Sequence, residues 1–433
     1  MGTEMKKIVI NGGLPLYGDI SVSGMKNAAL PIIFASILTK DKCVIENLPE
    51  VSDVTLSLEI LHSMGATVKM LNRNTVEVDT THFVGGSSPY ELVSKLRGST
   101  YLLGAELGRF GEARVGFSGG CDFGTRPIDQ HKKGFEALGA VMTIENGCNH
   151  IVTGPGGLCG ASIYFDIASV GATINVILAA VMTPGRTTID NAAREPHIVD
   201  LANFLNMCGA RISGAGTSFI KIQGVERLHG CNYTIIPDMI EAGTYMAAAA
   251  AAGGRVTVRG IIPKHMETVT AKLLEMGVEV DECDDSIVVS RTSPLQHANI
   301  KTYFYPGFPT DMHPQFSALL AMASGTSTVT EGVFENRFRY VDELKKMNAD
   351  ISVDGRTATI VGPAHLTGAP VKAVDLRGGA ALVIAGLAAK GKTEICNVEY
   401  IERGYDNIVG KLRGIGADIS LVDIPDAVVE KAN

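Results

Sequence analysis

The stretch LHSMGATVKM, residues 61–70, decides how the chain is read. A helix-like run closes on a Gly-Ala step, and a short apolar alternation follows at once. The pattern returns as FEALGAVMTI (135–144), LNMCGARIS (205–213), LLEMGVEV (273–280), LKKMNADIS (344–352) and LRGIGADIS (412–420). The step falls at Gly65, Gly139, Gly209, Gly277, Asn348 and Gly416, at intervals of 68 to 74 residues. Self-similarity at a near-constant period marks a repeated unit, so six copies of one module are expected. Glycine ends each helix in a left-handed turn that a Cβ would disfavour, and asparagine, in the fifth copy, is the next-best residue there. The alternation that follows reads as a strand.

Upstream in each copy lies a helix of another kind: KNAALPIIFASIL (26–38), LRGSTYLLGAEL (96–107), SVGATINVILAAVM (169–182), IEAGTYMAAAAAA (240–252), MHPQFSALLAMA (312–323) and LRGGAALVIAGLA (376–388). These runs are apolar on every side and rich in Ala and Gly, so they lack the polar face of a surface helix and must be buried. Each module thus reads as β-α-β-α-β-β. Three modules closing around their small-residue helices, with sheets outside, make one domain. Six make a two-domain, inside-out α/β barrel. The midpoint falls at IIPDMIEAG, so domain I is expected over residues 1–20 and 236–433 and domain II over 21–235. The N-terminal strand KKIVINGG is expected to complete the sheet of domain I. A cleft between two like lobes is a usual ligand site, and the active site is expected there.

Composition narrows the function. Hydrophobic residues make up 45% of the 433 and charged ones 19%, which excludes disorder. A net charge of -8 argues against nucleic-acid binding, which rests mostly on cation–phosphate contacts. No run has the order of a signal peptide, and the longest small apolar run, YMAAAAAAGG, is too short to span a membrane. Cysteines at 43, 121, 148, 159, 208, 231, 283 and 396 show no close pair, so reduced thiols in a cytoplasmic protein are expected and no metal site is. Neither a GxxxxGK[ST] loop nor a GxGxxG in a βαβ setting occurs, and no cofactor is expected.

Charges stand where apolar helices begin. Lys26-Asn27, Arg97, Ser169-Val170-Gly171 and Asp375-Leu376-Arg377 open buried helices, whose free N–H groups and dipole favour anions. Arg126-Pro127-Ile128-Asp129, Arg337 and Arg403 precede amphipathic ones. A single arginine before a helix is an ordinary solvated charge, but so many cations at equivalent positions suit a ligand with phosphate and carboxylate groups. Asp311, in PGFPTDM, reads either as a helix N-cap or as a proton acceptor, and Asp375 allows the same two readings. His131 reads as a surface or hydrogen-bonded histidine. Cys121, in SGGCDFG, reads as a turn filler or as a reactive thiol.

These motifs together resemble the enolpyruvyl transferase family, in particular its bacterial members that act on UDP-N-acetylglucosamine. The resemblance rests on SGMKNAALP, LRGS, GGCDFGTRPIDQH, SVGAT, EPHIVDL, IEAGTY, PGFPTDM, FENRF, DLRGGA and ERGYD, spread over nearly the whole chain. It implies transfer of the enolpyruvyl group of phosphoenolpyruvate to the 3'-hydroxyl of UDP-N-acetylglucosamine with release of phosphate, the first committed step of peptidoglycan precursor synthesis. It further implies that Cys121 is the loop cysteine that supplies an acid, forms an adduct and is alkylated by fosfomycin. By the same resemblance Lys26, Arg126 and Arg403 hold phosphate, Arg337 and Arg377 face the carboxylate, Asp311 takes the hydroxyl proton and Asp375 assists. Asn27, Arg97, the run Arg126, Pro127, Ile128, Asp129 and Gln130, the turn Ser169, Val170 and Gly171, and Val333 line the nucleotide-sugar. The chain departs from the pattern at Ile167, where some relatives carry a lysine.

Overall fold

A computed structural model describes residues 6–86, 88–117, 119 and 127–424. The chain divides into two compact units, one formed by Met1–Ser23 with Pro237–Asn433 and the other by Gly24–Ile236.

The Gly or Asn at the step does the same local work in all six copies, followed by Ala in five of them and by Val278 in the fourth. Amphipathic helices Ser52–Ser63, Asp129–Ala137, Pro196–Met207, Glu267–Glu275, Val341–Lys346 and Ile408–Gly414 each run up to one. The residue at the step has positive φ in every copy: 101° at Gly65, 94° at Gly139, 99° at Gly209, 80° at Gly277, 69° at Asn348 and 99° at Gly416. A left-handed residue stops the i to i−4 ladder and turns the chain into the next strand.

Among the described residues the strands form six sheets, five of four strands and one of three. In one of them Ser162–Tyr164 runs parallel to Arg186–Asp190, which pairs antiparallel with Phe219–Gln223, itself antiparallel to Arg211–Ser213. Register aligns Ile163, Ile189, Ile220, Ile222 and Ile212 on one face, all buried. Alternation therefore gives each strand an inner and an outer row. Long-range pairings close both units. Lys6–Asn11 inserts antiparallel between Lys392–Cys396 and Asp418–Asp423. In the other unit Asn232–Thr234 pairs parallel with Lys42–Glu46.

The small-residue helices are the cores. Lys26–Ala35, Tyr101–Phe110 and Val170–Ala180 serve one unit, and Met239–Ala252, His313–Ala321 and Leu376–Ala388 the other. Close approach explains their composition: a Cβ on Gly104 would lie 2.3 Å from the Asn175 carbonyl oxygen, and one on Gly108 would lie 2.7 Å from that of Leu178. The Asn175 side chain also accepts from the Gly104 amide at 2.9 Å. No helix among the described residues is long and apolar enough to cross a membrane. The seven described cysteines are free thiols.

Glu106 lies in the helix Tyr101–Phe110 with no exposure. Burial pushes its carboxyl up to about 8, opposed in part by the Gly86 amide. The folded chain thus keeps a proton that the unfolded chain releases once pH passes about 4.5. The contribution to stability is present below that pH and is lost as pH rises to about 8. Glu106→Gln is expected to flatten this slope, stabilising the protein at alkaline pH by on the order of a few kcal/mol and leaving acidic pH nearly unchanged. Thermal melts of both proteins across that pH range check it.

Candidate active site

In the unit of Met1–Ser23 and Pro237–Asn433, Asp311 lies in the 3-10 turn Thr310–Met312 that leads into the buried helix His313–Ala321. Neither this turn nor that helix has a side-chain cap. The carboxylate instead receives two guanidiniums. Arg337 Nη2 donates to Oδ1 at 3.0 Å, and Arg377 donates to Oδ2 through Nη2 at 3.2 Å and Nε at 3.4 Å. Both arginine side chains are almost wholly buried, at 1% and 4% exposure, whereas Asp311 keeps 28%. Buried cations beside a partly open carboxylate form a site with one accessible side.

Each arginine is also held by an aromatic ring. Phe334 lies 5.8 Å from the Arg337 guanidinium and Tyr405 lies 5.3 Å from that of Arg377. Burial works against the charge of Arg377, but Tyr405 and Asp311 hold its pKa above the ordinary arginine value. Arg377 Nη1 is buried and has no hydrogen-bond partner among the described residues. Asp375 is the N-cap of Leu376–Ala388: its Oδ1 accepts from the amides of Arg377 and Gly378, both at 2.9 Å. That cap fixes the helix start from which Arg377 projects. Arg403 follows the short helix Glu399–Glu402 and is half-buried, as is Val333, whose amide donates to Glu331.

In the unit Gly24–Ile236, Lys26 opens the buried helix Lys26–Ala35 and Asn27 follows it, half-buried. The Lys26 ammonium donates to Asp53 Oδ2 at 2.8 Å, with both side chains nearly buried. Arg97 begins the 3-10 turn Arg97–Thr100, and burial lowers its pKa. Ser169 caps Val170–Ala180, accepting from the Ala172 amide at 3.3 Å. Gly171, in the first turn, is pressed against His131: a Cβ there would lie 2.7 Å from Nε2.

His131 is therefore not on the surface. It is 4% exposed, its Nδ1 has no partner among the described residues, and burial, aided by Arg97, pushes it down to about 4 against the pull of Asp129. The ring is neutral at pH 7 and serves as packing between Asp129–Ala137 and Val170–Ala180. Gln130 is buried and bonded on both sides, donating to Asp129 at 2.8 Å and Asp166 at 3.1 Å and accepting from the Asp166 amide at 3.0 Å. Pro127 is exposed, Ile128 half-buried and Asp129 exposed. Cys121 and Arg126 lie outside the described residues.

The partners that sequence reasoning missed are acids and aromatics: Asp53 for Lys26, Glu331 for the turn before Asp311, and Phe334 and Tyr405 for the two arginines. Asp53 sits in the first turn of a helix and Glu331 just after a strand, where a carboxylate is commonplace. A pairing rule asking which acid balances each buried cation would have searched for them.

Six repeated modules with two buried arginines gathered on one carboxylate place the protein in the carboxyvinyl transferase class, and comparison with known proteins agrees. The profile described as EPSP synthase (3-phosphoshikimate 1-carboxyvinyltransferase) matches residues 10–412. UDP-N-acetylglucosamine 1-carboxyvinyltransferase 3 of Caldanaerobacter subterraneus subsp. tengcongensis is 54% identical over 96% of this chain and 99% of its own length. The UDP-N-acetylglucosamine 1-carboxyvinyltransferase of Clostridium botulinum is 53% identical with the same coverage. Among solved structures, the enolpyruvyl transferase NikO from Streptomyces tendae superposes with a TM-score of 0.87 at 26% identity, covering 98% of this chain and all of that one. EPSP synthase from Acinetobacter baumannii, at a TM-score of 0.74 and 18% identity over 96% of this chain and 100% of its own, shares the fold. The chain belongs to the enolpyruvyl transferase family, in its UDP-N-acetylglucosamine 1-carboxyvinyltransferase branch.

Proposed function

We propose that the protein transfers the enolpyruvyl group of phosphoenolpyruvate to the 3'-hydroxyl of UDP-N-acetylglucosamine, releasing phosphate, at the entry to peptidoglycan precursor synthesis. The observation that carries the residue assignment is the convergence of Arg337 and Arg377 on a single carboxylate. A fork of two buried guanidiniums suits the carboxylate of phosphoenolpyruvate. Arg377 offers its buried Nη1 to that group. As the substrate carboxylate enters the fork, Asp311 is released from the two cations and takes the proton of the sugar hydroxyl.

Addition then proceeds with every proton accounted for. The sugar oxygen bonds to C2 of phosphoenolpyruvate, its proton passes to Asp311, and C3 gains a proton from Cys121 acting as acid. In the tetrahedral phospho-ketal, Lys26, Arg126 and Arg403 bind the phosphate. Elimination returns a C3 proton to the Cys121 thiolate and breaks the bond from C2 to the phosphate oxygen, leaving the enol ether. The departing phosphate takes up the proton held by Asp311, with Asp375 assisting proton movement, so both groups return to their starting state. Asp53 holds the Lys26 ammonium in place at 2.8 Å and shares it with the incoming phosphate. The nucleotide-sugar lies along Asn27, Arg97, the run from Arg126 to Gln130, the Ser169-Val170-Gly171 helix start and Val333. No cofactor enters this scheme.

Two measurements test the reading. Phosphate release is expected with UDP-N-acetylglucosamine as acceptor, and release with shikimate 3-phosphate alone would overturn the substrate assignment. Intact-mass analysis after incubation with phosphoenolpyruvate and the nucleotide-sugar, or with fosfomycin, is expected to show one adduct that maps to Cys121. An unmodified Cys121 under both conditions would remove its proposed role.

A further inference from the structure

Glu331 follows the strand Gly325–Thr330 and is 1% exposed. Its carboxylate is approached from two directions. Oε2 accepts from the Thr310 hydroxyl at 2.9 Å and lies 3.1 Å from His313 Nδ1. Oε1 accepts from the amides of Val333 at 2.7 Å and Phe334 at 3.0 Å. Burial disfavours the anion, yet His313 and the two amides outweigh it and hold the carboxyl down at about 2, so it is ionised at any working pH.

The far side of this arrangement is also tied. His313 Nε2 lies 2.9 Å from the Tyr340 hydroxyl, Tyr340 donates to Ser317 at 2.6 Å, and Ser317 donates to the His313 carbonyl at 3.0 Å. A carboxylate with four neighbours, backed by a closed network, is a rigid point in the molecule.

Its two arms end on residues that the mechanism uses. Thr310 immediately precedes Asp311 in the turn, and Phe334 lies against the Arg337 guanidinium. We propose that Glu331 is a positioning residue for the transfer reaction, clamping the turn that carries Asp311 to the loop that carries Val333 and Arg337, so that the proton acceptor stays aligned with the acceptor hydroxyl. The inference rests on the role proposed above for Asp311. The physical need is clear: Asp311 must stay in place when a substrate carboxylate draws Arg337 and Arg377 away from it, and a turn tied down at Thr310 keeps its backbone fixed. Loss of alignment by about 1 Å costs on the order of 100-fold in rate.

Thr310→Val cuts one arm while leaving Glu331 bonded to His313 and both amides. It is expected to lower kcat by about 10-fold or more while the KM for phosphoenolpyruvate stays within about 2-fold, because alignment rather than anion binding is lost. Thr310→Ser, which keeps the hydroxyl, recovers most of that rate. Glu331→Gln lowers kcat further and raises the KM for the nucleotide-sugar, since the Val333 arm is disturbed as well. If Thr310→Val and Glu331→Gln lose only thermal stability and turn over like the parent when folded, the clamp is refuted. Should Glu331→Gln fail to fold, the valine and serine variants decide alone. Asp311→Asn, measured in parallel, separates the two ideas: normal turnover in it overturns the base assignment, whereas its inactivity beside a fully active Thr310→Val overturns the clamp alone.

Discussion

Asp311→Asn is expected to lower kcat by about two to four orders of magnitude, the range a positioned general base contributes. The amide is nearly isosteric with the carboxylate, so the turn Thr310–Met312 and its tie to Glu331 remain. Proton acceptance is what disappears. Charge also changes, because Arg337 and Arg377 lose the anion on which both donate. Phosphoenolpyruvate then competes with no internal carboxylate, and its KM is expected to stay level or fall. A variant with poor turnover and undiminished substrate binding is the signature of a group that acts in the transition state. Single-turnover rates together with direct binding of both substrates provide the check, and a kcat within about 10-fold of the parent would contradict the assignment.

The parts of this architecture that were legible are those set locally. Helix termination depends on one residue's φ, so the six-fold recurrence of Gly or Asn could be read as six helix ends, and positive φ is found at each. Burial of the small-residue helices was equally legible, since a run such as MIEAGTYMAAAAAA has no polar face to give to water. Insertion of Lys6–Asn11 between two strands from the far end of the chain was only half legible. A strand announces itself by alternation, but its neighbours are chosen by packing across hundreds of residues. The pairing of Asn232–Thr234 with Lys42–Glu46 gave no sequence signal at all, because three residues are too few to show a period.

In the site the asymmetry is one of cost. A cation opening an apolar helix is conspicuous, so Lys26, Arg97 and Arg377 could be singled out without any partner in view. Their carboxylates could not. Asp53 and Glu331 occupy places where acids are inexpensive, and only the folded arrangement shows them at 2.8 Å from Lys26 and 2.9 Å from Thr310. Asp375 shows the limit from the other side. Its two readings were equivalent in sequence, and the cap is visible only through the amides of Arg377 and Gly378. His131 was misread because its neighbours in sequence are polar, while the glycine that admits its ring, Gly171, lies in another module.

Arg377→Ala is expected to lower kcat/KM for phosphoenolpyruvate by about two to four orders of magnitude, from the loss of two charge-assisted hydrogen bonds at about 1.5–3 kcal/mol each. Lysine is not a substitute. An ammonium cannot span Asp311 with Nε and Nη2 as the guanidinium does, nor lie flat on the Tyr405 ring, so Arg377→Lys should recover little. Stability should also fall, because Asp311 loses the Arg377 guanidinium and the space beside Tyr405 opens. The functional loss and the structural loss can be told apart by ligand. Binding of UDP-N-acetylglucosamine alone does not call on Arg377 and should survive, while saturation by phosphoenolpyruvate should not. Free guanidinium ion, which can enter the space left by the side chain, should restore part of the rate in Arg377→Ala and none in Asp311→Asn. A wild-type KM for phosphoenolpyruvate in Arg377→Ala would show that the fork is built for Asp311 alone, and the order of events proposed for the proton acceptor would then have to be abandoned.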